Sequence, residues 1–430
     1  MKILIQPVEG RFSARPQAAL FQGTAKRLFL SILRRLKTGR IHLMEDDRQW
    51  TFGQRAEDAS LQASVRVLDS AFYSRVLLGG SVGAGEAYMM GLWSTDDLTA
   101  LIRIVLLNQG VFQGLDRRWT RLATPAYAVF HALRRDTRKG SRANIAAHYD
   151  LGNAFYRLFL DETLTYSCGL FETEESTLEE ASLAKYDRIC RKLDLKASDH
   201  VLEIGTGWGG FALFAAEHYG CRVTTATISE EQRALALERI QEAGLQDRIR
   251  VLFQDYRDLK GRFDKLVSIE MIEAVGHSYL ETFFRSCSHC LKPDGMMMLQ
   301  AITITDRVFE RHKRSVDFIK RYIFPGSCIP SIAAMSRAVA RATDLKFDHL
   351  EDITPSYPRT LRAWRTRFFE HLDEVKALGF SDAFIRMWEY YLCYCEAGFE
   401  ERYLGDVQIR LIKPMARPAP LLPRLTPPIS

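Results

Sequence analysis

The chain has 430 residues, of which 47% are hydrophobic and 26% charged, and it carries a formal net charge of +6. That length suits two domains, and the composition is that of an ordinary soluble globular protein with a sizeable core. No apolar run is long enough to span a bilayer: the best candidate, LTALIRIVLLNQGVF from Leu98, is short and contains Arg103. MKILIQPVEGRF has neither a signal-peptide h-region nor a cleavage site, so a cytoplasmic protein is expected.

In chain order, residues 1–135 read as mainly helical with some short strands. Leu78-Gly79-Gly80-Ser-Val-Gly83-Ala-Gly85-Glu86 is expected to be a glycine-rich turn. Thr95, Asp96 and Asp97 can cap a helix starting at Leu98. RRWTRLATPAYAVFHALRR is basic and apolar at helical spacing. The polar, charged residues 136–145 read as a linker. From about 200 the pattern alternates strand and helix. The strand-like runs are VLEIG, CRVTTATIS, RIRVLFQD, FDKLVSIE and GMMMLQAIT. Such alternation predicts an α/β fold, a mostly parallel sheet covered on both faces. KFDHLEDIT and DVQIRLIKP are expected to form a closing antiparallel hairpin. Residues 415–430 read as a disordered Pro-rich tail.

The eight cysteines do not suggest a disulfide framework. Cys287-Ser-His-Cys290 has the C-x-x-C form but lies in a helical pattern, and no second pair follows. It reads as packing rather than a metal or redox site, as do Cys393 and Cys395. Basic clusters occur at Arg34-Arg35-Leu-Lys37, from Arg134 to Arg142, and from Arg311 to Arg321. Interleaved with aromatics, they suit an anionic membrane surface. No nucleic-acid module is recognisable.

The most informative stretch is HVLEIGTGWGG at 200–210. An apolar run with Glu203 breaks into Gly205-Thr-Gly207-Trp-Gly209-Gly210 and continues as FALFAAEH. Strand, glycine turn and helix in that order argue for a nucleotide-like cofactor at the end of the first strand of a doubly wound sheet. A dinucleotide site would space its glycines as G-x-G-x-x-G. Here they fall at every second position, a spacing that resembles the first motif of S-adenosylmethionine-dependent methyltransferases. The second strand ends in Thr227-Ile-Ser229-Glu-Glu-Gln232. Thr227 or Gln232 could bond a cofactor, whereas Ser229 reads as a helix cap. Asp255 ends the third strand, where either an adenine-binding acid or a solvent-facing turn Asp would sit.

Further segments narrow the class. They are His148-Tyr-Asp150-Leu-Gly152-Asn153, Thr165-Tyr166-Ser167-Cys168-Gly169, Gln254-Asp255-Tyr256, Ile269-Glu-Met271-Ile-Glu273-Ala-Val-Gly276, Lys320-Arg-Tyr322-Ile-Phe324-Pro325 and Cys328-Ile-Pro330-Ser331. Together with the glycine turn they resemble the cyclopropane-fatty-acyl-phospholipid synthase family, which includes the mycolic acid cyclopropane synthases. The resemblance runs from the glycine-rich stretch near 78–91 to about Gly398.

The resemblance implies a seven-stranded Rossmann-like class I methyltransferase sheet in a catalytic domain at 146–414. A helical acyl-chain cover would lie at about 304–400. Residues 1–135 would form the mainly helical lipid-associated domain of phospholipid-acting members. It implies S-adenosylmethionine as cofactor, contacted by Tyr166, Ser167, Gly205, Gly207, Thr227, Gln232 and Asp255. The implied reaction moves the sulfonium methyl to the double bond of an unsaturated phospholipid acyl chain. A base then removes a proton from that methyl and a cyclopropane ring closes. Nearby aromatics (Tyr156, Tyr166, Tyr256, Tyr322, Phe324 and Tyr357) would stabilise the cation. The family's base is a bound bicarbonate, and its cage matches Cys168, Glu273 and Tyr357 here. Gln300 stands where many members carry a histidine. It offers an amide donor and acceptor but cannot titrate. The alternative is therefore alkene C-methylation giving a methyl-branched product without ring closure. The resemblance also implies a homodimer associated peripherally with the inner face of the membrane. An inactive scaffold would not need Cys168, Glu273 and Tyr357 beside an intact glycine loop. A heteroatom methyltransferase would want a base where Gln300 stands.

Overall fold

Alternating burial builds a small sheet early in the chain. In β1 (Arg40–Glu45) Ile41 and Leu43 face inward, the period of two expected of a strand with one covered face. β1 pairs antiparallel with β2 (Arg48–Gly53) and parallel with β3 (Gln62–Val67), and β4 (Trp93–Thr95) pairs antiparallel with β3. The order is β2-β1-β3-β4. The structure, a computed structural model, describes residues 16–55, 60–112 and 151–421. The expected helical stretch at 117–135, the linker at 136–145, the basic cluster from Arg134 to Arg142, His148 to Asp150, and the end of the tail at 422–430 lie outside the described residues.

Contacts divide the chain into two units. One comprises Met1–Arg135, Arg314–Gly326 and Leu361–Leu404; the other comprises Asp136–Lys313, Ser327–Thr360 and Gly405–Ser430. This differs from the expected boundaries. Two segments assigned from sequence to the catalytic domain, 314–326 and 361–404, belong to the first unit. The reason is aromatic and ionic packing within that unit. The Phe318 ring lies 4.6 Å from Tyr390, and Tyr390 lies 5.9 Å from Tyr88. Buried Glu396 accepts from Thr99 Oγ1 at 3.0 Å and from Arg365 at 2.6 Å.

Among the described residues, the N-terminal part of the first unit also holds the helices α1 (Pro16–Leu33), α2 (Ala71–Met89) and α3 (Leu98–Leu107). The glycine-rich stretch at 78–86 is not a turn between elements. It lies inside α2, which breaks at Gly80 (φ +55°, ψ −136°) and then resumes. Gly85 is required for packing, because a Cβ there would lie 2.5 Å from the Phe318 ring. At α3 it is Asp97 that caps, accepting from the Ala100 N–H at 2.8 Å, whereas Asp96 accepts from the Ser64 N–H.

In the second unit each expected strand forms: β5 (His200–Ile204), β6 (Arg222–Thr227), β7 (Ile249–Phe253), β8 (Phe263–Ile269), β9 (Leu291–Ile304), β10 (Lys346–Asp352) and β11 (Leu404–Ile412). They make one seven-stranded sheet in the order β10-β11-β9-β8-β5-β6-β7. β5 through β9 pair in parallel, and β10 pairs antiparallel with β11. These last two are not a sequence hairpin, since the helices Ser356–Glu370, Leu372–Ala377 and Asp382–Glu400 lie between them in the chain.

Successive residues of β9 serve opposite faces. Met297 and Leu299 join the core under the helices Leu280–Cys290 and Ile332–Ala342. Met296 and Met298 join the core under Leu178–Lys192 and Gly210–Tyr219. Cys287 and Cys290 are buried in the first of these cores, which is the packing role read from their helical setting. The start of the tail is packed rather than disordered. Lys413 and Met415 N–H donate to Gly295 and Pro293 carbonyls, and Ala416 is buried against the sheet.

Candidate active site

β5 runs into Gly205-Thr206-Gly207-Trp208-Gly209, where the three glycines have φ of +103°, +52° and +88°. An L-residue pays roughly 1–2 kcal/mol in the left-handed region. The turn is pinned by Gly205 and Thr206 N–H donating to the Ala226 carbonyl at 3.0 and 3.3 Å, and Gly209 N-caps the helix Gly210–Tyr219. A Cβ on Gly207 would meet nothing within 4 Å among the described residues, so the loop is open to them on that side. A Cβ on Gly205 would sit 3.2 Å from Met271. The glycine turn therefore abuts the segment that follows β8.

Other expected cofactor residues surround this turn in varied roles. The Trp208 ring lies 4.8 Å from Tyr156, and Tyr156 lies 5.4 Å from Tyr166. Thr227 Oγ1 donates to Gln232 Oε1 at 3.0 Å, and Ser229 accepts from the Gln232 N–H as the helix cap. Ser167 Oγ accepts from buried Lys185 Nζ at 2.6 Å. Asp255 is buried, not solvent-facing, and its two oxygens accept from the Arg257 guanidinium. Glu203, just before the turn, has its Oε2 buried without a hydrogen-bond partner among the described residues, and burial pushes its carboxyl up to about 8. Tyr322 and Phe324 fall in the first unit, where Tyr322 donates to Glu86 at 2.6 Å.

The expected cage residues converge, but on a carboxylate that the motif reading passed over. The Ile269↔Gln300 register of β8 and β9 sets Glu270 beside Gln300. Glu270 has φ of +46°. Its Oε1 accepts from the Cys168 N–H at 2.8 Å and from Gln300 Nε2 at 2.8 Å, and its Oε2 accepts from the Tyr357 hydroxyl at 2.5 Å. Gln300 Nε2 also lies 3.0 Å from Asp406 Oδ2, and Gln408 Nε2 donates to Gln300 Oε1 at 3.1 Å. Glu273 does not share these donors. Its Oε1 accepts from the Ile302 N–H at 2.6 Å, and its Oε2 is buried and unpartnered among the described residues.

Sequence reasoning missed Glu270, Asp406 and Lys185. The signal for Glu270 was an acid at the C-terminal end of a parallel strand, where such sheets bind ligands. For Lys185 it was a lysine on the apolar stripe with Ala181, Tyr186 and Ile189, all buried in the helix Leu178–Lys192. For Asp406 it was an acid in the strand LGDVQIRLI, where polar Asp406, Gln408 and Arg410 alternate with apolar residues.

The electrostatics follow from burial. Burial raises the Glu270 carboxyl, while the Tyr357 hydroxyl, the Lys185 charge and the Cys168 and Gln300 donors pull it back. Asp406 is pushed well above the usual carboxylate range by burial and by Glu270 and Glu273, so it is the acid that keeps its proton. Burial, then the neighbouring Glu270 charge, pushes Glu273 up to about 8. The Cys168 thiol, with burial as the main cause, is held far above its ordinary range and is no nucleophile.

These residues fit S-adenosylmethionine. The positive-φ glycine cradle is open at Gly207, the helix N-terminus stands behind it, and the Tyr156, Tyr166 and Trp208 rings suit a sulfonium. They do not fit a bicarbonate ion. The Cys168, Gln300 and Tyr357 donors that would hold one are engaged by Glu270, and Glu273 and Asp406 add two more carboxyls.

A seven-stranded sheet of this order, with its glycine turn after β5, defines an S-adenosylmethionine-dependent methyltransferase. Residues 136–409 match the family model described as mycolic acid cyclopropane synthetase. The chain belongs to that family. It is 37% identical over 341 residues to a tuberculostearic acid methyltransferase of Mycobacterium tuberculosis, covering 78% of this chain and 79% of that one. It is 36% identical over 359 residues to the cyclopropane-fatty-acyl-phospholipid synthase of Escherichia coli, covering 82% and 88%. A solved mycolic acid cyclopropane synthase complexed with S-adenosylhomocysteine and CTAB aligns with a TM-score of 0.59 at 31% identity, over 63% of this chain and 98% of that one.

Proposed function

We propose that this enzyme forms cyclopropane rings in the unsaturated acyl chains of membrane phospholipids. The observation that carries the reading is the buried cluster of Glu270, Tyr357, Gln300 and Cys168, with Met271, the residue after Glu270, 3.2 Å from where a Cβ on Gly205 of the glycine turn would sit. Ring closure needs a proton acceptor beside the methyl donor, shielded from water. S-adenosylmethionine, when bound, supplies an electrophilic methyl on a sulfonium. The chain's part is to hold the cofactor at Gly205, Gly207, Tyr166, Thr227, Gln232 and Asp255. Its aromatic rings face the developing cation, and its buried carboxyls manage one proton.

The reading extends to peripheral association with the inner, anionic face of the membrane and to a homodimer. Arg34, Arg35 and Lys37 are exposed and support a surface contact. The later basic run supports it less. Lys320 is buried, Arg321 pairs with Glu86 and Lys313 with Glu310. The dimer rests on the family resemblance of residues 1–135, and light scattering at twice the chain mass would support it.

The test is gas chromatography–mass spectrometry of cellular fatty acids after expression in a host without its own cyclopropane synthase. The expected product is one CH₂ heavier than the monounsaturated acids and resists mild hydrogenation. A product of that mass that hydrogenates to a branched chain would overturn the ring-forming reading.

A further inference from the structure

We propose that Glu270 is the base of this enzyme, its own carboxylate standing in the cage in place of a dissolved bicarbonate. The inference rests on the ring-forming reading above and names the group that takes the proton.

The argument is geometric. Cys168 N–H, Gln300 Nε2 and the Tyr357 hydroxyl, from three separate segments of the chain, all donate to one side chain at 2.5–2.8 Å. A carboxylate presents the same planar pair of oxygens as bicarbonate, so donors arranged for one serve the other. Their hydrogens are spent, and no second oxyanion can be satisfied by them. The backbone supports the assignment. Glu270 is held at φ +46°, a conformation that a glycine would adopt at less cost. Its own N–H is fixed by the Gln300 carbonyl at 2.9 Å. Met271, the next residue, lies 3.2 Å from where a Cβ on Gly205 of the cofactor turn would sit. Asp406 shares Gln300 with Glu270 but takes neither the Cys168 nor the Tyr357 donor that stabilises the Glu270 carboxylate, so of the two acids it is Asp406 that holds a proton. Lys185 offsets the negative charge from the Ser167 side.

In the step itself one C–H bond of the transferred methyl breaks. Its electron pair closes the ring at the cationic carbon, and the proton passes to a Glu270 carboxylate oxygen, leaving to water once product departs. No oxidant or further reactant is needed.

The experiment uses the full chain, vesicles of monounsaturated phospholipid and buffer stripped of carbon dioxide, with and without added sodium bicarbonate. The wild type should form rings at the same rate in both. Glu270→Gln should lose about 10²–10⁴-fold in rate, as expected for removal of a general base. Glu270→Gly suits the backbone and empties the cage, so it should bind bicarbonate by calorimetry and regain activity from it. Wild type should show no such binding. Retained thermal stabilisation by S-adenosylhomocysteine would show that both variants fold. The proposal is overturned by a bicarbonate-stimulated or bicarbonate-binding wild type, or by Glu270→Gln at wild-type rate. It is equally overturned by a folded Glu270→Gly that gains nothing from bicarbonate. A wild type that makes no methylated lipid at all overturns the ring-forming reading instead.

Discussion

At the residue scale the site is a problem in where protons reside. Tyr357 donates to Glu270 Oε2, and that bond stabilises the carboxylate. Tyr357→Phe removes it, so the Glu270 carboxyl should titrate higher and the base form should persist only at higher pH. The acid limb of the kcat/KM profile should move upward by about one pH unit, corresponding to about 1.4 kcal/mol, and a full pH–rate profile reads it directly. Glu203 offers a separate, stability-based test. Its carboxyl rises from an ordinary 4.5 to about 8 through burial. The folded chain therefore keeps a proton that the unfolded chain has released above about 4.5. That contribution is complete below this value, declines as pH rises toward 8 and is lost above it. Glu203→Gln should flatten the difference between urea unfolding midpoints at pH 5 and pH 8; an unchanged difference would remove Glu203 as its source.

Much of this cluster was legible in the sequence. Cys168 lay in a recognisable motif, Tyr357 and Gln300 were picked out by the family resemblance, and the three do meet on Glu270. Glu270 was not singled out because two acids share the Ile269-Glu-Met271-Ile-Glu273 run. Which of them takes the donors shows only in the folded chain, where Glu270, on left-handed backbone, receives Cys168, Gln300 and Tyr357 and Glu273 receives the Ile302 N–H. Asp406 was hidden for a different reason, since its bond to Gln300 spans 106 positions and exists only once β11 lies beside β9.

At the scale of elements, alternating and continuous apolar runs located every strand of the large sheet, because burial on both faces writes itself into composition. Glycine density misled at α2. Four glycines in seven residues, 79–85, read as a turn, yet only Gly80 breaks the helix. Gly85 is small because the Phe318 and Tyr390 rings occupy the space a side chain would need. Both rings are buried and cannot swing aside. Gly85→Ala should therefore cost about 1–3 kcal/mol of stability, seen as a lower urea midpoint. Gly207→Ala makes the contrast. Its Cβ meets nothing among the described residues, so folding should bear only the left-handed backbone cost of about 1–2 kcal/mol. Binding should suffer more, because the methyl enters the open side of the loop. Calorimetric titration with S-adenosylhomocysteine should show the loss; wild-type affinity would move the cofactor elsewhere.

For the whole molecule, a ligand that binds only the folded state stabilises it by about 2.7 kcal/mol at a hundredfold excess over Kd. S-adenosylhomocysteine should raise the melting temperature on that basis, and NAD should leave it unchanged. The division of the chain has a consequence for synthesis. The first unit takes its last segment from residues 361–404, and the second takes β11 from the stretch immediately after. β11 lies between β10 and β9, so until it leaves the ribosome the edge of β9 has no partner on that side. Domains commonly fold one after another as they are translated. Here neither unit can close until residues 404–412 have been made. A nascent chain cut at Lys313 should collect in the insoluble fraction on ultracentrifugation of a translation lysate. Synthesis of β11 doubles as a quality check: a copy terminated before it never buries that sheet edge and remains visible to chaperones and proteases.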